Sequence, residues 1–352
     1  MIPLFKPYMP ENLPEINTIL HSGALSYGKW GRKFEEKLGA YIGNQFVATT
    51  NSFSSAMLVA LAALGIGPGD EIIASPMSCL ASNQPFITQG ATVVWADIDP
   101  QTGTLDPRSV KSKISSKTKA IFHNHFCGYV GYIDEINAIG KENGIFVVDD
   151  AIEAFGSTYK GRRIGSIGTD MTIFSFQTVR LPNTIDGGAI VLNTKELYEK
   201  VKQIRDYGID RTGFRDNLGE INAAHDVSLP GFGATMPEIN SYIGCVQMER
   251  INSLLLTQKE NGMAWKQWLL SEDMDVEFLE KDHAEPNYWV FGIRVKDKRK
   301  TMISFREKGF YASSVHLNNN AYSIFGEQVR LNGVNAFYSS FLAVPCGWWF
   351  EK

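Results

Sequence analysis

Apolar positions along this chain follow two rhythms. In residues 10–43 they recur three and four apart, at Leu13, Ile16, Ile19 and Leu20 and again at Phe34, Leu38 and Tyr41. Two helices are therefore expected on either side of the glycine-rich break SGALSYGKWG. After the run VATT comes a Ser/Thr/Asn cluster and a helix expected from about Ser54 to Leu64, stopped by Gly65. From Glu71 to Asp150 the rhythm changes to short, nearly continuous apolar runs, EIIAS, ATVVWADI, KAIFHNHF and GIFVVDDA, separated by helical stretches such as Ile133 to Glu142. Strands apolar on both faces are what a mainly parallel sheet covered on both sides requires. Ligands of such sheets bind beyond the carboxyl ends of the strands. Helices are also expected over Leu197 to Tyr207 and Pro237 to Leu256, and the remainder mixes helices with the strand runs YWVFGIRV and YASSVHL.

With 352 residues and 44% hydrophobic content, the chain is long enough for an α/β large domain, residues 1–245, and a smaller C-terminal α/β domain, residues 246–352. No apolar run reaches the roughly 18 residues needed to span a bilayer. The start, MIPLFKPYMPENLPEI, has neither the basic flank nor the apolar core of a signal peptide, so a cytoplasmic setting and no membrane partner are expected. The four cysteines, Cys79, Cys127, Cys245 and Cys346, form no CxxC pair, which fits reduced thiols and no structural zinc. A formal charge of -4 with interspersed signs offers no basic stripe to nucleic acid.

Any anion site must then be local. The helix starting near Ser54 supplies one, since free backbone amides, the positive end of the helix dipole and the hydroxyls of Ser54 and Ser55 can hold a phosphate without a lysine or arginine. Ser also caps helices for purely structural reasons. The run Gly65-x-Gly67-x-Gly69 follows a helix and precedes a strand, the reverse of a dinucleotide loop, and is set aside. His123 and His125 lie two apart on one strand face, but without a nearby third ligand no metal is expected. Asp149 and Asp150 close the strand GIFVV.

Between two further strand runs lies Phe174-Ser175-Phe176-Gln177, then Arg180, then Asp186-Gly187-Gly188. Together with PLFKPY, the helix-start Ser54, the Asp150 strand and PCGWW, this loop resembles that of the DegT-type sugar aminotransferases, and the resemblance spans nearly the whole chain. It implies the fold-type I architecture of pyridoxal-phosphate-dependent transferases and a homodimer with sites at the subunit boundary, reached by the segment LPGFGATMPEI. It also implies a cofactor, pyridoxal 5'-phosphate or pyridoxamine 5'-phosphate, a nucleotide-linked sugar as substrate, and an amino donor such as glutamate. By the same resemblance Ser54, Ser55 and Ser175 would hold the phosphate, Asp150 is the family's ring-nitrogen acid, and Gln177 lies in the cofactor loop. Ser26 and Tyr27 lie in a loop that in the family touches the sugar, with an ordinary helix-helix turn as the equal alternative. His125 matches a family residue in the site region, His316 in the C-terminal part is a candidate substrate contact, and the pair Trp348-Trp349 reads as packing.

Four positions depart from the family. Cys79 stands where many members place an aromatic over the ring, and Ile152 where a small alanine backs it. Glu153 replaces a glutamine near the ring hydroxyl, which a carboxylate would repel unless protonated. Arg180 stands at the position of the lysine that bonds to the cofactor and carries its proton. A guanidinium stays charged at neutral pH and is no nucleophile. Three explanations follow: an arginine introduced to trap a bound intermediate in a sugar aminotransferase, a lysine-independent sugar dehydratase using the amine form of the cofactor, or a non-catalytic sugar-nucleotide-binding homologue.

Overall fold

The computed structural model describes residues 1–279 and 281–350. Its main sheet has seven strands: β1 (Val47–Thr50), β2 (Glu71–Ala74), β3 (Thr92–Trp95), β4 (Thr118–Asn124), β5 (Phe146–Asp150), and, after the two-residue strands β6 (Thr158–Tyr159) and β7 (Arg162–Arg163), β8 (Met171–Ser175) and β9 (Gly188–Leu192). The order is β1-β9-β8-β5-β4-β2-β3, parallel from β8 to β3 and antiparallel where β9 joins β8 and β1. The apolar runs alternate as a doubly covered sheet demands. Ile72, Phe122 and Val148 pack into one core cluster, while their neighbours Ile73, Ile121 and Val147 pack into another.

Helices α1 (Ile16–Leu20) and α2 (Lys29–Ile42) precede the sheet, and α3 (Phe53–Ala63), α4 (Leu80–Thr88), α5 (Pro107–Lys113) and α6 (Ile133–Asn143) lie between its strands. Helix α3 is buried at seven of its positions and starts at the N-cap Ser52, whose side chain accepts the Ser55 amide. After α7 (Lys195–Ile204) comes a single 34-residue helix, α8 (Glu238–Ser271). Its expected end at Leu256 is therefore too early. The buried positions Ile251, Leu254, Gln258, Gly262, Trp265 and Leu269 keep helical spacing, because the far half of the helix is the spine of the C-terminal part. The expected division at residue 245 falls inside this helix.

Beyond α8, the strands β10 (Val276–Phe278), β12 (Phe291–Val295) and β13 (Phe341–Val344) form an antiparallel sheet flanked by α9 (Lys298–Glu307) and α10 (Asn332–Ser340), and β11 (Ala284–Glu285) pairs with β6. The run YASSVHL is not a strand. Only Ser313 bridges Ala343, Val315 turns left-handed at φ 61°, and the His316 amide donates back to Ser314 O at 2.7 Å. Phe126, just past β4, meets Phe337 at 5.5 Å and Phe341 at 5.2 Å between ring centroids, so the C-terminal part shares the main core.

Candidate active site

Strand register lines up one edge of the sheet. Asn124 pairs with Asp150, Asp150 with Ile173, Ser175 with Gly188, and Gly188 with Thr50, so the ends of β4, β5 and β8 and the approach to α3 share the carboxyl edge. At the start of α3 the amides of Phe53 and Ser54 have no acceptor among the described residues, and Ser54 is exposed. The Ser55 hydroxyl accepts from Ser52 at 2.9 Å, and the buried Ser175 hydroxyl accepts the Gln177 amide at 3.3 Å. This is an open anion seat of the kind a helix N-terminus makes.

Asp150 is 2% exposed and accepts from Asn124 Nδ2 at 2.8 Å and from the Ile152 amide at 3.2 Å. Burial pushes its carboxyl pKa up, and among the described residues it has no ion-pair partner. A buried acid that lacks a cation is what a protonated pyridine nitrogen would complete, and with the anion seat along the same edge these residues fit a phosphorylated pyridine.

Arg180 is 8% exposed, with its guanidinium stacked on the Trp289 ring at 4.1 Å. Trp289 is fixed by its Nε1, which donates to Val179 O at 2.9 Å, and by stacking on Phe5 at 4.4 Å. Arg180 Nη2 donates to Glu153 Oε1 at 3.4 Å, while Nε and Nη1 have no partner among the described residues. Beside them Ile152, Ser175 and Asn287 help line a cavity of about 10 Å³, room for one water.

Glu153 gathers three donors. His316 Nε2 lies 2.7 Å from Oε1, the Cys127 amide donates to Oε2 at 2.7 Å, and Arg180 completes the set. Burial opposes ionisation, but His316, Arg180 and the Cys127 amide outweigh it and hold the carboxyl below its ordinary value. Glu153 thus stands ionised with its charge matched, so the protonation that the sequence suggested is not needed. The Cys127 amide is presented by a turn in which Gly128 has φ 87°, and a Cβ at Gly128 would sit 2.1 Å from Asn287 Oδ1. Asn287 in turn donates to Glu153 O at 2.7 Å. Cys79, half-buried beside this cluster, has its thiol pKa raised by burial and then by the Glu153 charge.

The other expected residues fall elsewhere. Gln177 is exposed and accepts the Val179 amide of its own loop at 3.3 Å. Ser26 and Tyr27 line a cavity of about 1340 Å³ bordered by Glu35, Lys202 and Arg205, none of which belongs to the Asp150 cluster. Tyr27 Oη donates to Glu35 Oε2 at 2.5 Å. His125 is fully buried, and the third ligand absent from the sequence reading does exist: Asp149 Oδ1 lies 3.3 Å from His123 Nδ1 and 3.5 Å from His125 Nε2. Because the Gly131 amide donates to His125 Nδ1 at 3.2 Å, the His125 proton is assigned to Nε2, facing Asp149. Burial pushes His123 down to about 4 and leaves it neutral. Asp149 Oδ2 accepts from Thr169 at 2.7 Å, whereas Oδ1 has no hydrogen-bond partner among the described residues, and a metal at His125 would have to displace the Nε2 proton.

Sequence reading missed Asn124, Cys127, Asn287 and Trp289. Asn124 stood between two histidines that drew the attention, and Trp289 within an apolar run looked like core; Cys127 and Asn287 carried no local signal.

The pattern of the DegT/DnrJ/EryC1/StrS aminotransferase family matches residues 8–346. Enzymes of that family depend on pyridoxal 5'-phosphate or pyridoxamine 5'-phosphate. The spore coat polysaccharide biosynthesis protein SpsC of Bacillus subtilis (strain 168) is 34% identical over 250 residues, 71% of this chain and 64% of its own length, so the match spans just under two thirds of that relative. The sugar aminotransferase CalS13 from Micromonospora echinospora superposes with a TM-score of 0.93 at 28% identity, covering 100% of this chain and 96% of its own. AtS13 from Actinomadura melliaura gives a TM-score of 0.92 at 30% identity, covering 100% and 95%.

Proposed function

The chain belongs to the DegT/DnrJ/EryC1/StrS aminotransferase family, and from that premise we propose a sugar-aminotransferase-type protein that holds pyridoxal or pyridoxamine phosphate non-covalently and acts on a nucleotide-linked keto sugar. The Bacillus subtilis relative supports surface polysaccharide or glycan synthesis as its setting; glutamate as the type of amino donor and a homodimer are further parts of the proposal. The observation that carries the reading is Asp150, a buried acid raised by burial and lacking a cation, on the same sheet edge as the open start of α3.

When bound, the cofactor would supply an electron-withdrawing ring at the reacting carbon. The chain's own residues do the rest. Asp150 would hold the ring nitrogen's proton, while Ser54, Ser55, Ser175 and the amides of Phe53 and Ser54 would bind the phosphate. Ile152 and Cys79 would flank the ring in place of the usual alanine and aromatic. Arg180 is committed to Glu153 and Trp289, keeps its charge, and forms no bond to carbon. Ordinary lysine-dependent transamination is therefore expected to be slow or absent.

Calorimetry with pyridoxal phosphate and pyridoxamine phosphate tests the pocket. Both are expected to bind at least tenfold more tightly than inorganic phosphate, with Asp150→Asn removing that advantage. If neither outbinds phosphate, the chain is a sugar-nucleotide-binding homologue instead. Arg180→Lys is expected to gain a borohydride-reducible bond to the cofactor and activity on keto-sugar nucleotides with glutamate. A lysine variant that binds the cofactor but never bonds to it would place the block at Cys79, Ile152 and Glu153.

A further inference from the structure

We infer that His316, held by Glu153, is the proton carrier of this site in place of the family's lysine. This rests on the pocket reading above.

The geometry is that of an oriented base. Glu153 is 3% exposed, and its Oε1 lies 2.7 Å from His316 Nε2. With Oε2 fixed by the Cys127 amide, the carboxylate cannot swing away from the imidazole. A carboxylate that holds the N–H of one ring nitrogen leaves the other as the base, the arrangement that orients catalytic imidazoles in general. Here the free nitrogen is Nδ1, which has no partner among the described residues, and the side chain is 18% exposed. The edge of the Phe126 ring, 6.1 Å between centroids, limits how the imidazole can tilt.

Arg180 completes the device without handling a proton itself. Its permanent charge, 3.4 Å from Glu153 Oε1, keeps that oxygen an acceptor, so Glu153 orients the imidazole and stabilises its cation without taking its proton. The backbone also bears the mark of a built position. Val315, a β-branched residue, is held at φ 61°, with its amide on Ser313 Oγ at 3.0 Å, and this turn delivers His316 to Glu153.

The step balances. His316 Nδ1 takes the proton of a C–H bond next to the amino nitrogen, and the electron pair left behind would be taken up by the electron-withdrawing ring the cofactor supplies when bound. The imidazolium faces Glu153, and returning the proton, to the same carbon or to the neighbouring one, restores the neutral ring.

The test uses the whole protein loaded with pyridoxal phosphate, with glutamate in deuterated water, following loss of the glutamate α-hydrogen by NMR. The wild-type chain is expected to exchange faster than free pyridoxal phosphate with glutamate. His316→Gln should fall about 100-fold or more, the scale of a lost general base, while its affinity for pyridoxal phosphate stays within threefold. Added imidazole should restore part of the rate to His316→Gly. In the cofactor-free protein, the Nε2 proton of His316 should appear as a hydrogen-bonded imidazole resonance that vanishes in Glu153→Gln. Wild-type exchange no faster than the free mixture, or His316→Gln exchanging at the wild-type rate with cofactor bound, overturns the inference alone. Absence of the imidazole resonance overturns the pairing on which it stands. Failure of the wild-type chain to bind pyridoxal phosphate sinks the pocket reading, and the proton-carrier role with it.

Discussion

At the scale of single residues, buried charge decides most of what this site can do. Glu153→Gln would leave Arg180 buried with no counter-charge, which costs about 3–5 kcal/mol. A large fall in melting temperature is expected, and the double variant Glu153→Gln/Arg180→Met should recover much of it. Asp150 works in the opposite direction. Its folded pKa is raised, so the stability it contributes is present below the unfolded carboxyl value and lost as pH rises through the folded one. In the cofactor-free protein Asp150→Asn is therefore expected to raise the melting temperature at neutral pH, even as it weakens cofactor binding. An unchanged or lower melting temperature would show that Asp150 already has a cation beside it. His123 sets an acid limit, since burial lowers it from 6.5 to about 4. A depressed imidazole stabilises the fold above the unfolded value, and about 3 kcal/mol is lost as pH falls from 6.5 to 4. Thermal melts of His123→Gln across that window should show a flatter decline.

At the scale of elements, the site hangs on short connections anchored in large packing units. The turn 126–128 offers the Cys127 amide only while Gly128 keeps its positive φ and its close approach to Asn287. Gly128→Ala meets both strain and a clash, and chemical denaturation should report a loss of more than about 2 kcal/mol. The far half of α8 carries the C-terminal part through Trp265, fully buried, stacked on Phe350 at 5.4 Å and donating to Pro345 O at 2.7 Å. Trp265→Ala is expected to cost about 3–5 kcal/mol. The helix periodicity was legible in the sequence over its first half and continued unbroken beyond it. The expected end at Leu256 failed because the second half serves a different core, not because the pattern changed.

At the scale of the whole molecule, the proposed proton carrier is a contact between its two parts: Glu153 follows β5, and His316 arrives from beyond α9, 163 residues later. The segment from Tyr207 to Val227 leaves Tyr207, Leu218 and Ile221 more than half exposed, at 61, 81 and 62%. Apolar exposure of that kind suits a subunit contact. Light scattering at micromolar concentration is expected to give a dimer, and Leu218→Asp with Ile221→Asp to give a monomer. A strictly monomeric wild-type chain would remove the shared-site reading. By itself the sequence determined what local chemistry and periodicity encode: the doubly covered parallel sheet, the helix that starts just after the Ser/Thr/Asn cluster, and the acid ending β5. It did not determine which groups those residues would face. That Glu153 is ionised rather than protonated, that Arg180 lies between it and Trp289, and that Asp149 stands against His123 and His125 all depend on side chains from distant strands and turns converging in a low-dielectric interior. There the position of a partner to within an ångström fixes the charge state, and no spacing along the chain records that distance.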